Sequence, residues 1–301
     1  MEEPTVDEPT VDETAPAILE SHLAEVGGLP VFRALPQRGR RMVGAWCLLD
    51  RFGPINVTPQ RTMTVGPHPH IGLHTVTWLL AGQVLHSDSL GTQQPIRPAQ
   101  LNLMTAGAGV VHAEDSRGQA GGVLDGVQLW VAQPEATRHD PASFAHHSVL
   151  PVVDLGTALA TVLIGTFDAA FSPAPVDSPL VGVDITGGGM VHLPLDPTFE
   201  HGIFVLHGAP RIAGSEASPN QLVYVGTGRA AVALDLGDGA RVLLLGGRPF
   251  DEPIFMWWNF IARDRSEIAM AYADWQFKGR RFAPVASTLD RIEAPRPNWL
   301  P

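Results

Sequence analysis

From Leu29 onward the apolar residues come in short β-branched or aromatic runs, interrupted every few positions by Gly, Pro, Asp or Asn. This pattern predicts antiparallel strands of the kind that build sandwiches and barrels. Candidate strands fall at 44–49, 74–80, 84–87, 100–104, 110–114 and 123–132, and then at 160–167, 190–195, 203–206, 221–225, 231–236 and 241–245. Gly237-Asp238-Gly239 joins the last two and reads as a hairpin turn. One amphipathic helix is predicted near the C-terminus, where Ile268, Ala271, Tyr272 and Trp275 recur at i, i+3, i+4 and i+7. Asp264 with Glu267 resembles a capping box at its start, with Ser266 as the competing cap. The fold class expected is all-β with a short C-terminal packing helix.

The pattern occurs twice. Pro98-Ala-Gln100-Leu101 followed by Gly107 matches Pro219-Asn-Gln221-Leu222 followed by Gly228 at a constant offset, which also pairs Val111 with Val232. Trp78-Leu-Leu-Ala-Gly82 resembles Phe204-Val-Leu-His-Gly208 at a slightly different offset. Two related β domains follow, over about 17–150 and 151–301, after an acidic, Pro-rich tail at 1–16 that lacks the apolar side chains needed to order it. On this alignment His112 corresponds to Ala233 and Glu114 to Asp235, so the second copy lacks the imidazoles of the first.

Those imidazoles are the chemistry of the chain. His68-Pro-His70 and His112-Ala-Glu114 are both spaced i, i+2 within strand-like sequence, so each pair can project from one face toward a common point. An unpaired carboxylate in the apolar run Val110-Val111-His112-Ala113-Glu114 would be costly to bury, which favours a cation there. Three imidazoles and one carboxylate suit a mononuclear transition metal and leave positions open for other ligands; iron, manganese, nickel, copper and zinc all accept such donors. His74, four residues beyond His70, competes with Glu114 as the fourth ligand. Glu114 is the preferred choice because an anionic oxygen offsets metal charge and can also take a proton, the catalytic role expected of it. His74 is then expected to support the ligands or line the pocket.

Charge narrows the partners. The formal net charge of -11 offers no basic footprint for nucleic acid, so no direct contact with DNA or RNA is expected. No apolar run reaches the roughly 18 residues of a membrane span, and the acidic N-terminus does not read as a signal peptide, which predicts a cytoplasmic protein. Cys47, the single cysteine, lies in an apolar run and reads as a buried thiol. Trp78, Trp130 and the pair Trp257-Trp258 read as packing aromatics.

Taken together, Arg33-Ala-Leu-Pro36, Arg41-Met-Val-Gly44, Asp50-Arg-Phe-Gly-Pro54, His68-Pro-His70-Ile-Gly72, Met104-Thr-Ala-Gly107, His112-Ala-Glu114 and the stretch Trp275 to Phe282 resemble the pirins of the cupin superfamily. The resemblance implies two packed cupin barrels, of the double-stranded β-helix or jelly-roll type. The first would hold one metal, commonly Fe(II), through His68, His70, His112 and Glu114. It implies one of two activities: a dioxygenase that opens a flavonol-like aromatic substrate, as quercetin 2,3-dioxygenases do, or a redox-responsive co-regulator that binds other proteins. Ile71 and His74 stand where arginine and glutamate are frequent in the family, which marks a subgroup.

Overall fold

The computed structural model describes residues 16–118 and 121–300, so the acidic tail lies outside the described residues apart from Pro16. The first half of the chain forms β1 (Ala17–Glu20), β2 (His22–Val26), β3 (Leu29–Leu35), β4 (Trp46–Asn56), β5 (Thr64–His70), β6 (Leu73–Ala81), β7 (Val84–Asp88), β8 (Gln93–Ile96), β9 (Leu101–Thr105), β10 (Val110–Asp115), β11 (Val123–Ala132) and β12 (Ser143–His147). A seven-stranded sheet, β12-β9-β6-β11-β4-β3-β2, packs against a four-stranded one, β5-β10-β7-β8. Val31, Phe52 and Leu79 of the larger sheet meet Val65, Val84 and Ile96 of the smaller inside this first barrel.

The second half repeats the plan with β13 (Val152–Asp154), β14 (Ala158–Phe167), β15 (Ala170–Phe171), β16 (Leu180–Gly187), β17 (Met190–Pro194), β18 (Glu200–His207), β19 (Arg211–Ile212), β20 (Ser215–Glu216), β21 (Gln221–Gly226), β22 (Ala231–Asp235) and β23 (Ala240–Gly247). Here the path β1-β21-β18-β23-β16-β14-β13 faces β17-β22-β19-β20. The two barrels are therefore the cupins expected, built strand for strand on one order. They join through their large sheets, where Trp46, Leu49, Val76 and Leu129 bury against Leu163, Phe204, Leu243 and Leu245.

Three expectations need correction. Ala17–Glu20 does not join the barrel that follows it in sequence; β1 pairs with β21 of the second barrel, filling the edge that β12 fills in the first. An unpaired edge strand gains ladder bonds from any segment that reaches it, regardless of chain order. The turn at Gly237-Asp238-Gly239 is real, with left-handed φ at Gly237, but β22 and β23 enter different sheets instead of pairing. The constant offset also slips by one residue along β22. Val232 and Leu234 lie in the aliphatic core of the second barrel, while Ala233 and Asp235, the matches of His112 and Glu114, alternate onto the partly exposed face. The position of the metal pairs is thus filled by Val191, Leu193, Val232 and Leu234.

A final segment returns to the first barrel as the hairpin β24 (Phe255–Trp257) and β25 (Phe260–Ala262), followed by α1 (Arg265–Gln276). Asp264 is the N-cap, accepting from the Ser266 and Glu267 amides. Glu267 does not close the capping box; it pairs with Arg138 at 2.8 Å. Ile268, Ala271 and Trp275 pack with Ile71, Val111 and Phe260, so the helix covers the outer face of the strands that carry the histidines.

Candidate metal centre

β5 and β10 run antiparallel with His112 opposite His68 and Val110 opposite His70. A register shift between His112 and Glu114 brings Glu114 opposite Val65. The nitrogens of His68, His70 and His112 lie within 4.8 Å of one another, and all three rings are buried. Glu114 lines the same cavity but stands outside that group of three.

The backbone decides which nitrogen each ring offers. His68 donates from Nδ1 to the Gly66 carbonyl at 2.8 Å, and His70 from Nδ1 to the Asn259 carbonyl at 3.0 Å. A carbonyl only accepts, so in the neutral rings the proton sits on Nδ1 and the Nε2 lone pair points inward. Burial holds all three imidazoles below their ordinary value, His68 at about 4, and their mutual proximity adds to the effect. Neutral rings are the form a metal takes. His70 Nε2 and His112 Nε2 approach to 3.1 Å, close to the separation of two nitrogens bound at about 2.1 Å to one ion. Glu114 adds a buried carboxylate whose Oε1 has no hydrogen-bond partner, and burial pushes its carboxyl up, with His86 opposing. Two inward lone pairs and a third buried imidazole beside an orphaned carboxylate oxygen fit a cation.

His74 faces elsewhere. Gly72, with φ +67°, ends β5 and turns the chain into β6, and a Cβ there would lie 2.2 Å from the Ile261 carbonyl oxygen. That turn breaks the alternation running from His70. His74 Nδ1 lies 2.9 Å from Thr105 Oγ1 and Nε2 lies 3.0 Å from Asp177 Oδ2, so both nitrogens are engaged away from the cavity.

The cavity above the histidines measures about 520 Å³, within the range of small-molecule sites. Leu48, Phe52, Met63 and Val65 make its walls apolar, and Trp130 meets the His70 ring edge-on at 5.2 Å. Besides the histidines and Glu114, the polar lining is Glu25, Arg33, Asp50, Gln128 and Asn259. Arg33 grips Asp50 with two hydrogen bonds, and Gln128 accepts from Thr77 while its Nε2 has no partner. Met256, Trp258 and Asn259 of the β24–β25 hairpin close one side, and Ile292 closes another. Trp257 packs among Trp258, Phe260, Tyr272 and Trp299, as expected of a packing aromatic, but Trp258 is a cavity wall.

Gln128, Trp258 and Asn259 are site residues that no spacing announces, because they come from two segments, β11 and the β24–β25 hairpin, that lie far apart in the chain. His86-Ser-Asp88, not singled out from the sequence, has the same i, i+2 parity as the ligand pairs, and on β7 it lies opposite Glu114 and His112 across the ladder.

A pair of packed cupin barrels with, among the described residues, a buried histidine cluster in the first alone defines a bicupin with one candidate metal site. The chain belongs to the pirin family: the Pirin model matches residues 28–131 and the Pirin C-terminal cupin domain model residues 180–282. It is 44% identical over 276 residues to a Pseudomonas aeruginosa protein provisionally named quercetin 2,3-dioxygenase, covering 91% of this chain and 86% of that one. A Caulobacter vibrioides pirin-like protein is 35% identical over 268 residues, covering 86% and 92%. Among solved structures, a quercetin 2,3-dioxygenase from Acinetobacter baumannii superposes with a TM-score of 0.91 at 39% identity, over 95% of this chain and 97% of that one. A bacterial pirin of Escherichia coli solved with nickel(II) shares the fold, with a TM-score of 0.64 at 17% identity over 78% and 99% of the two chains.

Proposed function

We propose that this chain is a metal-dependent dioxygenase acting on a flavonol-like aromatic substrate, with His68, His70, His112 and Glu114 holding one Fe(II). The observation that carries the reading is the set of buried nitrogens and the unpartnered Glu114 oxygen at the base of an apolar cavity. The names of the Pseudomonas and Acinetobacter relatives support the same class of substrate. A bound transition metal supplies Lewis acidity toward substrate oxygens and one-electron chemistry with dioxygen.

The residues of the chain do the rest. Glu114, its carboxyl pushed up by burial, accepts the proton of an acidic substrate hydroxyl. Gln128 Nε2, unpartnered in the cavity wall, donates to a substrate oxygen. Phe52, Trp130 and Trp258 sandwich a flat ring and exclude water. No helix of the described residues is long and apolar enough to cross a membrane. Purified protein reconstituted with Fe(II) should consume oxygen and bleach the flavonol absorption band, and His112→Ala should retain no metal by elemental analysis. Metal-loaded protein inert toward a flavonol panel would refute the activity, and full metal retention by His112→Ala would refute the ligand set.

A further inference from the structure

Outside the group of three histidines lies a fourth, with no part in the site as derived so far. His86 is buried, as is Asp88 two residues on, and both belong to β7, which pairs with β10. His86 Nε2 lies 3.1 Å from Asp88 Oδ2, and His86 Nδ1 lies 3.4 Å from His112 Nδ1. Phe144 stacks on the His86 ring at 4.6 Å and 23°, which fixes its plane. The other Asp88 oxygen is also engaged: Oδ1 accepts from the Leu90 and Thr92 amides, which anchors the carboxylate.

His68 and His70 have carbonyl acceptors on Nδ1, but His112 has none; its Nδ1 faces another imidazole nitrogen. Two neutral imidazoles can meet there only if one nitrogen carries a proton and the other a lone pair. An ionised carboxylate accepts, so Asp88 draws the His86 proton to Nε2. The neutral ring then presents its Nδ1 lone pair to His112. In the metal-bound centre His112 would answer with Nδ1–H, which frees its Nε2, 3.1 Å from His70 Nε2, as a ligand; two bare Nε2 lone pairs stay that close only beside a cation. We propose that Asp88 and His86 are positioning residues that hold His112 in this tautomer and thereby favour the metal-bound form of the centre. The inference deepens the metal-binding reading and rests on it. Polar groups behind metal-ligating histidines typically contribute about 10–100-fold in affinity.

Asp88→Asn tests it with almost no change of shape. The Asn oxygen can keep the Leu90 and Thr92 amides, and its NH2 then turns toward His86. That donor needs a lone pair on Nε2, moves the His86 proton to Nδ1, and forces His112 into the Nε2–H form, which cannot bind metal. Long-range 1H–15N spectra of the Zn(II)-loaded protein should show the Nε2–H form at His86 and the Nδ1–H form at His112. Ni(II) titrated into the apo-proteins should bind the variant about 10–100-fold more weakly. If Asp88→Asn does not fold, His86→Gln, which can still accept from His112 through Oε1, should bind Ni(II) more tightly than His86→Leu. The opposite tautomers in the loaded protein, an Asp88→Asn variant that binds Ni(II) as tightly as wild type, or equal affinities for His86→Gln and His86→Leu, would overturn the proposal. Wild-type protein that takes up no metal refutes the metal reading instead, so the two failures are distinguishable.

Discussion

His74 Nε2, on β6 of the first barrel, lies 3.0 Å from Asp177 Oδ2, in the loop that leads into β16 of the second. The same oxygen accepts from Gln133 Nε2 at 2.9 Å and Thr137 Oγ1 at 2.7 Å, so one carboxylate gathers three donors of the first barrel. The hydrogen bond from His74 is the largest influence holding the Asp177 carboxyl well below the usual carboxylate range; burial opposes it.

Asp177→Ala strips the shared acceptor from three donors, two of them on buried residues. It should cost about 2–4 kcal/mol while leaving metal content unchanged, because His74 takes no part in the histidine cluster. A carboxyl whose folded value is depressed stabilises fully above its unfolded value, near about 3.9, and loses that contribution progressively as pH falls from there through the folded value. The gap between wild type and variant in denaturant midpoints should therefore be constant from about pH 5 to 7 and narrow steadily below about pH 4. A gap that does not narrow at all between about pH 5 and 2 would show that the carboxylate charge plays no part.

Glu114→Gln should act in the opposite sense on the apo-protein. Burial raises the folded value of Glu114, so at neutral pH the ionised form destabilises the fold, and this burden lifts as pH falls through the folded value. The native state binds the extra proton, hence stability declines as pH rises above the ordinary glutamate value of about 4.3. Metal-free Glu114→Gln is expected to melt above wild type at pH 7–8, with the difference closing toward pH 4. Added Ni(II) should reverse the order, since the carboxylate then gains a cation. Calorimetric melts with and without metal check both signs.

How far the sequence carried the argument depends on the range over which each feature is encoded. The ligand pairs were legible because strand parity is local: His68 and His70, and His112 and Glu114, need only alternate. The two barrels were legible because the repeat preserves strand and turn residues. The exchange of β1 into the second barrel was not, since Ala17–Glu20 carries no mark of which edge it meets. Nor was the slip along β22, where Val232 fits either side of an alignment of small and aliphatic residues. The hairpin that brings Trp258 and the Asn259 carbonyl to His70 acts across 189 residues of sequence, and no local pattern encodes such a contact.

That hairpin should separate binding from stability within one dipeptide. Trp258 faces the cavity, so Trp258→Ala should raise KM for a flavonol about tenfold, or weaken its binding equally by fluorescence quenching, with metal content intact. Trp257 does not line the cavity and packs in the aromatic cluster beside α1, so Trp257→Ala should instead cost about 2–3 kcal/mol, less than a fully buried tryptophan because it is partly exposed. Equal effects of the two variants on KM would contradict the division.

Gly66 couples the last segment of the chain to the metal centre. A Cβ at this position would lie 1.9 Å from the Asp290 carbonyl oxygen, a backbone atom that can yield only if its segment moves. That segment is tied down by the Ile292 amide donating to the Pro67 carbonyl at 3.0 Å and by Trp275 Nε1 donating to the Ile292 carbonyl at 3.0 Å. Ile292 forms part of the cavity wall, and the Gly66 carbonyl is the acceptor that orients His68. Gly66→Ala should therefore detach the chain around 290, opening it to limited proteolysis, and weaken Ni(II) binding about tenfold through the disturbed His68 carbonyl. Gly118→Ala, where an added Cβ meets nothing within 4 Å, is the control and should stay within about 0.5 kcal/mol of wild type. Metal affinity and protease resistance should fall together in the first variant and stay unchanged in the second; loss of one without the other would uncouple the C-terminal segment from His68.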